Sequence, residues 1–220
     1  MPSVADGQIR HRPYIPIDME CEPCTPKGRP REFCVEQALA SALRVFWEKG
    51  YEGASLSDLT EAMGITRPSL YAAFGNKEAL FRKALDLYER EKLAYVAQAM
   101  DEPTARRVAE HLLQGALENL TGDAEPKGCF SVISSVACGA EAESVRMDLI
   151  ARAETSHRAL IERFQRAKNE GDLPDHVDVS GLTGLLIALL QGLSVQSRSG
   201  ASRAELTATV ETSLSLWPSR

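Results

Sequence analysis

Arg67, Ser69 and Tyr71 lie within five residues of one another and fall on the outer side of a single short helical stretch. A guanidinium, a hydroxyl and a phenol at that spacing offer hydrogen-bond donors for recognition. A second basic element is the arm Lys27-Gly28-Arg29-Pro30-Arg31. Arg29 and Arg31 on a short extended arm can enter a narrow A·T-rich minor groove, where the negative potential is enhanced. A third candidate is Cys21-x-x-Cys24 with Cys34 nearby, which could hold a metal or act as a thiol switch. A zinc site usually needs four ligands, often as two pairs, so one pair plus Cys34 reads as incidental. No nucleophile elbow, zinc-protease helix, phosphate loop or dinucleotide glycine pattern is present, and the four histidines are scattered. The chain is therefore expected to be no enzyme, with no cofactor and no metal.

Residues 55–77 must position the outer-face groups. Ser55 can cap a first helix, with Asp58 three residues on in a capping box. Leu56, Leu59 and Met63 recur at helical spacing, and Gly64 can end that helix in the left-handed conformation. Thr66 can cap a second helix, where Pro68 in the first turn removes only an N–H that would be unpaired. Leu70 and Phe74 point back to the first helix, and Asn76 caps a third. A helix, a glycine turn and a second helix with a polar outer face make the helix-turn-helix plan, whose second helix lies in the DNA major groove. On pattern alone, a helical hairpin inside an all-α core fits as well.

The residues themselves separate the two. Val45-Phe46-Trp47-Glu48-Lys49-Gly50-Tyr51-Glu52-Gly53-Ala54-Ser55-Leu56, then Gly64-Ile65-Thr66, then Ser69-Leu70-Tyr71-Ala72-Ala73-Phe74-Gly75-Asn76-Lys77-Glu78-Ala79-Leu80-Phe81, closely resembles the N-terminal domain of TetR-family transcriptional regulators over about residues 28–82. The resemblance implies phosphate contacts from Ser55, Ser57, Tyr71 and Lys77, and a groove-facing set of Thr66, Arg67 and Ser69. Arg67 is the candidate for a bidentate guanine contact, or equally for a phosphate. The sequence departs from the family at Thr60 (usually alanine), Pro68 (commonly glycine), and Ala72 and Ala73 (often tyrosine and histidine). This recognition helix thus has fewer polar reaches. A scaffold that binds small molecules but not DNA, and a thiol- or metal-responsive regulator using Cys21, Cys24 and Cys34, are the alternatives.

The remaining chain fits that frame. With 220 residues and 44% hydrophobic content it can bury a substantial core. No run of 18 apolar residues and no apolar signal core are present, so a cytoplasmic protein with reduced thiols is expected. The net charge is −6, yet residues 27–83 hold nine Lys and Arg against seven Asp and Glu. The candidate DNA-binding segment is the only basic part. We expect an all-α chain of about nine helices: a disordered tail over 1–26, a helix-turn-helix domain over 27–82, and a helical ligand-binding and dimerisation domain over 83–220. A single helix is expected over 77–98, followed by helices over 104–120, 129–138, 141–171, 180–197 and 203–216. The 180–197 stretch is apolar nearly all round and must be covered.

The resemblance implies a homodimer through the last two helices, with Leu185, Leu189, Leu193, Leu206, Val210 and Leu214 contributing. It also implies a small-molecule effector that releases a palindromic operator. Tyr88, Met100, His111, Phe130, Met147, His157 and Gln191 are the candidate liners of its pocket. Cys129 and Cys138 read as small packing hydrophobes.

Overall fold

The computed structural model describes residues 34–122, 125–137 and 142–218. Among the described residues ten helices form and no strand occurs. Three make the N-terminal head: α1 (Val35–Gly53), α2 (Leu56–Met63) and α3 (Arg67–Phe74). The others are α4 (Lys77–Lys92), α5 (Ala94–Met100), α6 (Ala105–Thr121), α7 (Phe130–Ala137), α8 (Glu143–Asn169), α9 (Val179–Arg198) and α10 (Arg203–Ser215).

The local signals in 55–77 act as their chemistry dictates. Ser55 and Asp58 form a reciprocal capping box at the start of α2. Gly64 closes α2 at φ 64°, ψ 30°, a region that costs glycine nothing. Thr66 caps α3 and Asn76 caps α4, each accepting from the backbone three residues on. In α1 the chain turns at Gly50, φ 73° and ψ 174°, so the regular helix ends there although one more turn follows.

The helix expected over 77–98 is instead two, α4 and α5, broken at Leu93. A continuous helix would bond the Val96 N–H to the Lys92 carbonyl. Here the Asn119 side-chain amide of α6 donates to that carbonyl, and the Val96 N–H donates to Leu93 O at 2.9 Å. A side chain 27 residues away thus takes the acceptor that would have carried the helix through. Lys92 is also buried beside Glu125, with Nζ–Oε1 3.0 Å.

Two apolar clusters hold the fold. The first joins α1–α4 around Phe46, Trp47, Leu59, Leu70, Leu80 and Phe81, and takes in Phe130, Val145 and Leu149 from α7 and α8. Its centre is aromatic. Trp47 meets Tyr88 edge-on at 4.9 Å, Phe46 meets Phe81 at 5.2 Å, and Phe130 lies 5.3 Å from Phe81 and 5.6 Å from Tyr88. The second cluster joins α5, α6, α8, α9 and α10 around Leu113, Phe164, Leu186, Leu193, Leu206 and Val210. α9 is long and apolar enough to cross a bilayer by length and composition. It packs on α6 and α8, however, and buries Thr183, Ser194 and Ser197.

Candidate functional site

Ser55 and Ser57 stand exposed at the start of α2, and Thr66 and Arg67 stand exposed at the start of α3. Arg67 Nη2 donates to Ser57 Oγ at 2.8 Å, so the guanidinium bridges the two helix starts. The Thr66 and Ser69 hydroxyls are 3.0 Å apart. Tyr71 keeps 49% of its surface in water despite its size. Ala72 beside it is exposed and apolar. Lys77 lies over the Tyr51 ring at 4.6 Å, and the Tyr51 ring in turn packs on Phe46 and Phe81. Burial draws the Lys77 ammonium below its ordinary pKa, with Glu52 opposing. The face is thus a set of donors around two helix N-termini, where backbone N–H groups also favour anions. Arg29 and Arg31 lie outside the described residues, as do Cys21, Cys24 and Cys138. Cys34 is half-buried and sits at the start of α1.

A cavity of about 730 Å³ opens in the helices beyond α4. α4 contributes Tyr88 and Glu89, α5 contributes Tyr95, Val96 and Met100, and α6 contributes Leu112, Ala116 and Asn119. Arg152, His157 and Leu160 of α8 and Ile187, Leu190 and Gln191 of α9 complete it. Its lining is mainly apolar with a few polar groups. The Tyr88 hydroxyl donates to Cys129 Sγ at 3.3 Å. Burial pushes the Tyr88 phenol well above its usual range, with Cys129 adding to the shift, and burial also raises Tyr95. Arg152 pairs with Asp86 and Glu89 of α4, at 2.7 Å to each. Burial pushes the Glu89 carboxyl up, opposed by Arg152. His157 Nε2 and Ser131 Oγ are buried without a protein partner.

Two family profiles match the chain: "Bacterial regulatory proteins, tetR family" over residues 38–84, and "Tetracyclin repressor-like, C-terminal domain" over residues 106–212. The HTH-type transcriptional repressor ComR of Escherichia coli (strain K12) is 36% identical over 194 residues, covering 87% of this chain and 92% of the relative. The chain belongs to the TetR family of bacterial regulators. The HTH-type transcriptional repressor BdcR of the same strain is 30% identical over 83% of this chain and 88% of its own length. A cysteine mutant of the TetR family transcriptional regulator CifR, complexed with 26bp double-strand operator DNA, is 43% identical with a TM-score of 0.82. The match covers 87% of this chain and 100% of that one.

This TetR-family chain is a DNA-binding transcriptional regulator, and its structure redistributes several residues expected from the sequence. Tyr88, Met100, His157 and Gln191 line the cavity. His111 does not: its Nδ1 lies 2.9 Å from Glu102 Oε1, outside the cavity. Phe130 is fully buried in the aromatic cluster of the reading head, drawn there by Phe81, Tyr88 and Trp47. Met147 is 52% exposed on α8. Of the expected interface leucines, Leu193 and Leu206 are buried within the single chain, as is Val210. They belong to the apolar cluster that α5, α6, α8, α9 and α10 share. Leu185 is exposed, and Leu189 and Leu214 are half-buried.

Several residues of the cavity escaped the sequence. Tyr95, Glu89, Asn119 and Arg152 read there as ordinary helix positions. Gly115 carried a usable signal, a glycine in the middle of the otherwise regular α6. A Cβ there would come within 2.3 Å of the Tyr95 ring, so the glycine makes room for that wall of the cavity. Cys129 sits ahead of α7 rather than inside it, and it lines the cavity.

Proposed function

We propose that this protein is a ligand-responsive repressor that binds a palindromic operator as a homodimer in the cytoplasm. In this reading residues 27–82 are the DNA-binding domain and residues 83–220 bind the effector and the second copy. Thr66, Arg67 and Ser69 face the major groove, while Ser55, Ser57, Tyr71 and Lys77 hold phosphates. The relatives named as repressors, and the CifR complex with operator DNA, support it.

The observation that carries the ligand response is the position of α4. Its first half closes the core of the reading head through Leu80, Phe81 and Ala84, and its last turns wall the cavity through Tyr88 and Glu89. A molecule that fills the cavity must therefore press on the helix that sets the head's tilt, and one favouring a different tilt shifts the population away from DNA. The mainly apolar lining with Arg152, Asn119, His157 and Gln191 at intervals suits an apolar molecule carrying one or two hydrogen-bonding groups.

The test is a selection of genomic fragments by the purified protein at low and moderate salt, followed by sequencing. A short palindrome is expected, with affinity falling on the order of 10³–10⁵ between 50 and 200 mM salt for ~6–10 phosphate contacts. Diffuse fragments lost at moderate salt would overturn the reading.

A further inference from the structure

At the end of α9 the last-turn Arg198 reaches out of its own helix to the end of α1. Its Nη2 donates to the Glu48 carbonyl at 2.7 Å, and its Nη1 donates to the carbonyls of Trp47 at 3.2 Å and Lys127 at 3.3 Å. Among the described residues its hydrogen-bond partners are all carbonyl oxygens. Trp47 and Glu48 lie in the last turn of α1 before Gly50 diverts the chain. A cation there completes carbonyls at the negative end of the helix and binds them as charge-assisted acceptors.

The grip includes a wedge. The Lys127–Cys129 turn sits between α1 and α9. Trp47 Nε1 donates to Gly128 O at 2.9 Å, and the Cys129 N–H donates to Ser194 Oγ at 2.7 Å. Gly128 has φ +88°, and a Cβ there would meet Ile133 at 2.4 Å, Ser194 O at 3.2 Å and Arg198 Cβ at 3.4 Å. Only glycine allows so close an approach. Elsewhere α1 packs on α2, α4 and α7, and α9 packs mainly on α6 and α8, with smaller contacts to α7 and α10. Arg198 therefore bonds α1 directly to α9, beside the indirect link that α7 makes between them.

We propose that Arg198 is a positioning residue of DNA binding: by clamping the end of α1 and the Lys127–Gly128 turn to α9, it fixes the reading head relative to the dimer helix and so sets the distance between the two recognition helices. The inference rests on the homodimer reading above. Two heads bind tightly only when their separation matches the half-site spacing, roughly 34–36 Å for adjacent turns. A fixed head makes that match strict, and a loosened one relaxes it. Lysine cannot replace the clamp fully, because a single ammonium lacks the planar fork that reaches divergent acceptors.

The experiment uses the full-length chain, its selected operator, and operators with one base pair added or removed between the half-sites. Arg198→Gln should weaken the natural spacing on the order of ten- to a hundredfold, as expected for losing charge-assisted bonds. It should also flatten the preference among spacings, while base preference within a half-site and dimerisation by ultracentrifugation stay unchanged. Arg198→Lys should be intermediate. A stability effect alone would lower affinity for all three spacings by one factor, and that result overturns the inference. A variant as strict as wild type overturns it too. If Arg198→Gln does not fold, Arg198→Lys carries the test, with hydrogen exchange expected to rise at 45–54 and 125–130 but not in α6; unchanged exchange at those segments overturns it. Wild-type protein with no palindromic operator would refute the proposed function itself, a result distinct from equal strictness in variant and wild type.

Discussion

At the scale of single residues, the proposed recognition face is exposed rather than buried. Arg67 is exposed and its side-chain bond to Ser57 lies in water, where such a bond contributes little to stability. Arg67→Ala and Tyr71→Ala should therefore leave folding within about 0.5 kcal/mol of wild type. Each should cost operator binding about 1–3 kcal/mol where the side chain reads a base edge. Titrating operator and shuffled DNA separates the roles: a lost base contact narrows the gap between the two, and a lost phosphate contact weakens both alike. Wild-type affinity in both variants would remove these residues from the interface. Asp58 gives a pH prediction. The Lys49 ammonium and then the Ser55 cap lower its carboxyl to about 2. A depressed folded-state pKa gives stability that is complete above the unfolded value, near 3.8, and lost as pH falls toward 2. Asp58→Asn should flatten the stability profile between pH 4 and about 2 and leave its shape near neutrality unaltered. A wild-type acid limb in that variant would show that the carboxylate carries none of it.

At the scale of elements, what was legible in the sequence is what neighbours in the chain decide. Ser55, Thr66 and Asn76 cap the helices they precede, and Gly64 ends α2, because caps and left-handed turns involve residues three or four apart. The break between α4 and α5 was not legible, since it depends on Asn119 meeting the Lys92 carbonyl from another helix. Phe130 and Tyr95 illustrate the same limit for the cavity. Both are aromatic and helical, and only the packing sends one into the reading head and the other to the cavity wall. The buried pair Lys92–Glu125, with both side chains under 10% exposed, holds the break against the loop before α7. Removing one partner strands a charge, so Lys92→Met should destabilise by about 3–5 kcal/mol. The double variant Lys92→Met, Glu125→Leu should recover most of that, because neither member of the pair is then left as a stranded charge. Urea denaturation of the four proteins in a cycle measures it, and a double variant as unstable as the single one would show that the pair is more than mutual neutralisation.

At the scale of the whole molecule, charge and exposed apolar surface point to opposite ends. The segment that carries the recognition face is the basic one, while the rest of the chain is acidic, so phosphate attracts one end and repels the other. At the acidic end α9 leaves Gly181, Gly184, Leu185, Ala188 and Val195 in water along one side, with Leu185 and Val195 each more than half exposed. α9's other face is already buried through Leu182, Leu186 and Leu193. A second copy of the same helix, related by a two-fold axis, would cover the open side with small residues that admit close approach. Leu185→Lys places a charge at the middle of that side without touching the core. It should convert a dimer to a monomer in sedimentation. Operator binding should then fall to that of one half-site, because the second recognition helix is no longer tethered to the first. Leu206→Ala makes the contrast. Leu206 has no exposed surface, so the variant should lose about 2–5 kcal/mol of stability through the cavity it leaves, while any dimer that folds keeps its interface. If Leu185→Lys sediments as a dimer with undiminished operator affinity, the open side of α9 is not where two copies meet, and the spacing of the reading heads must be set by another surface.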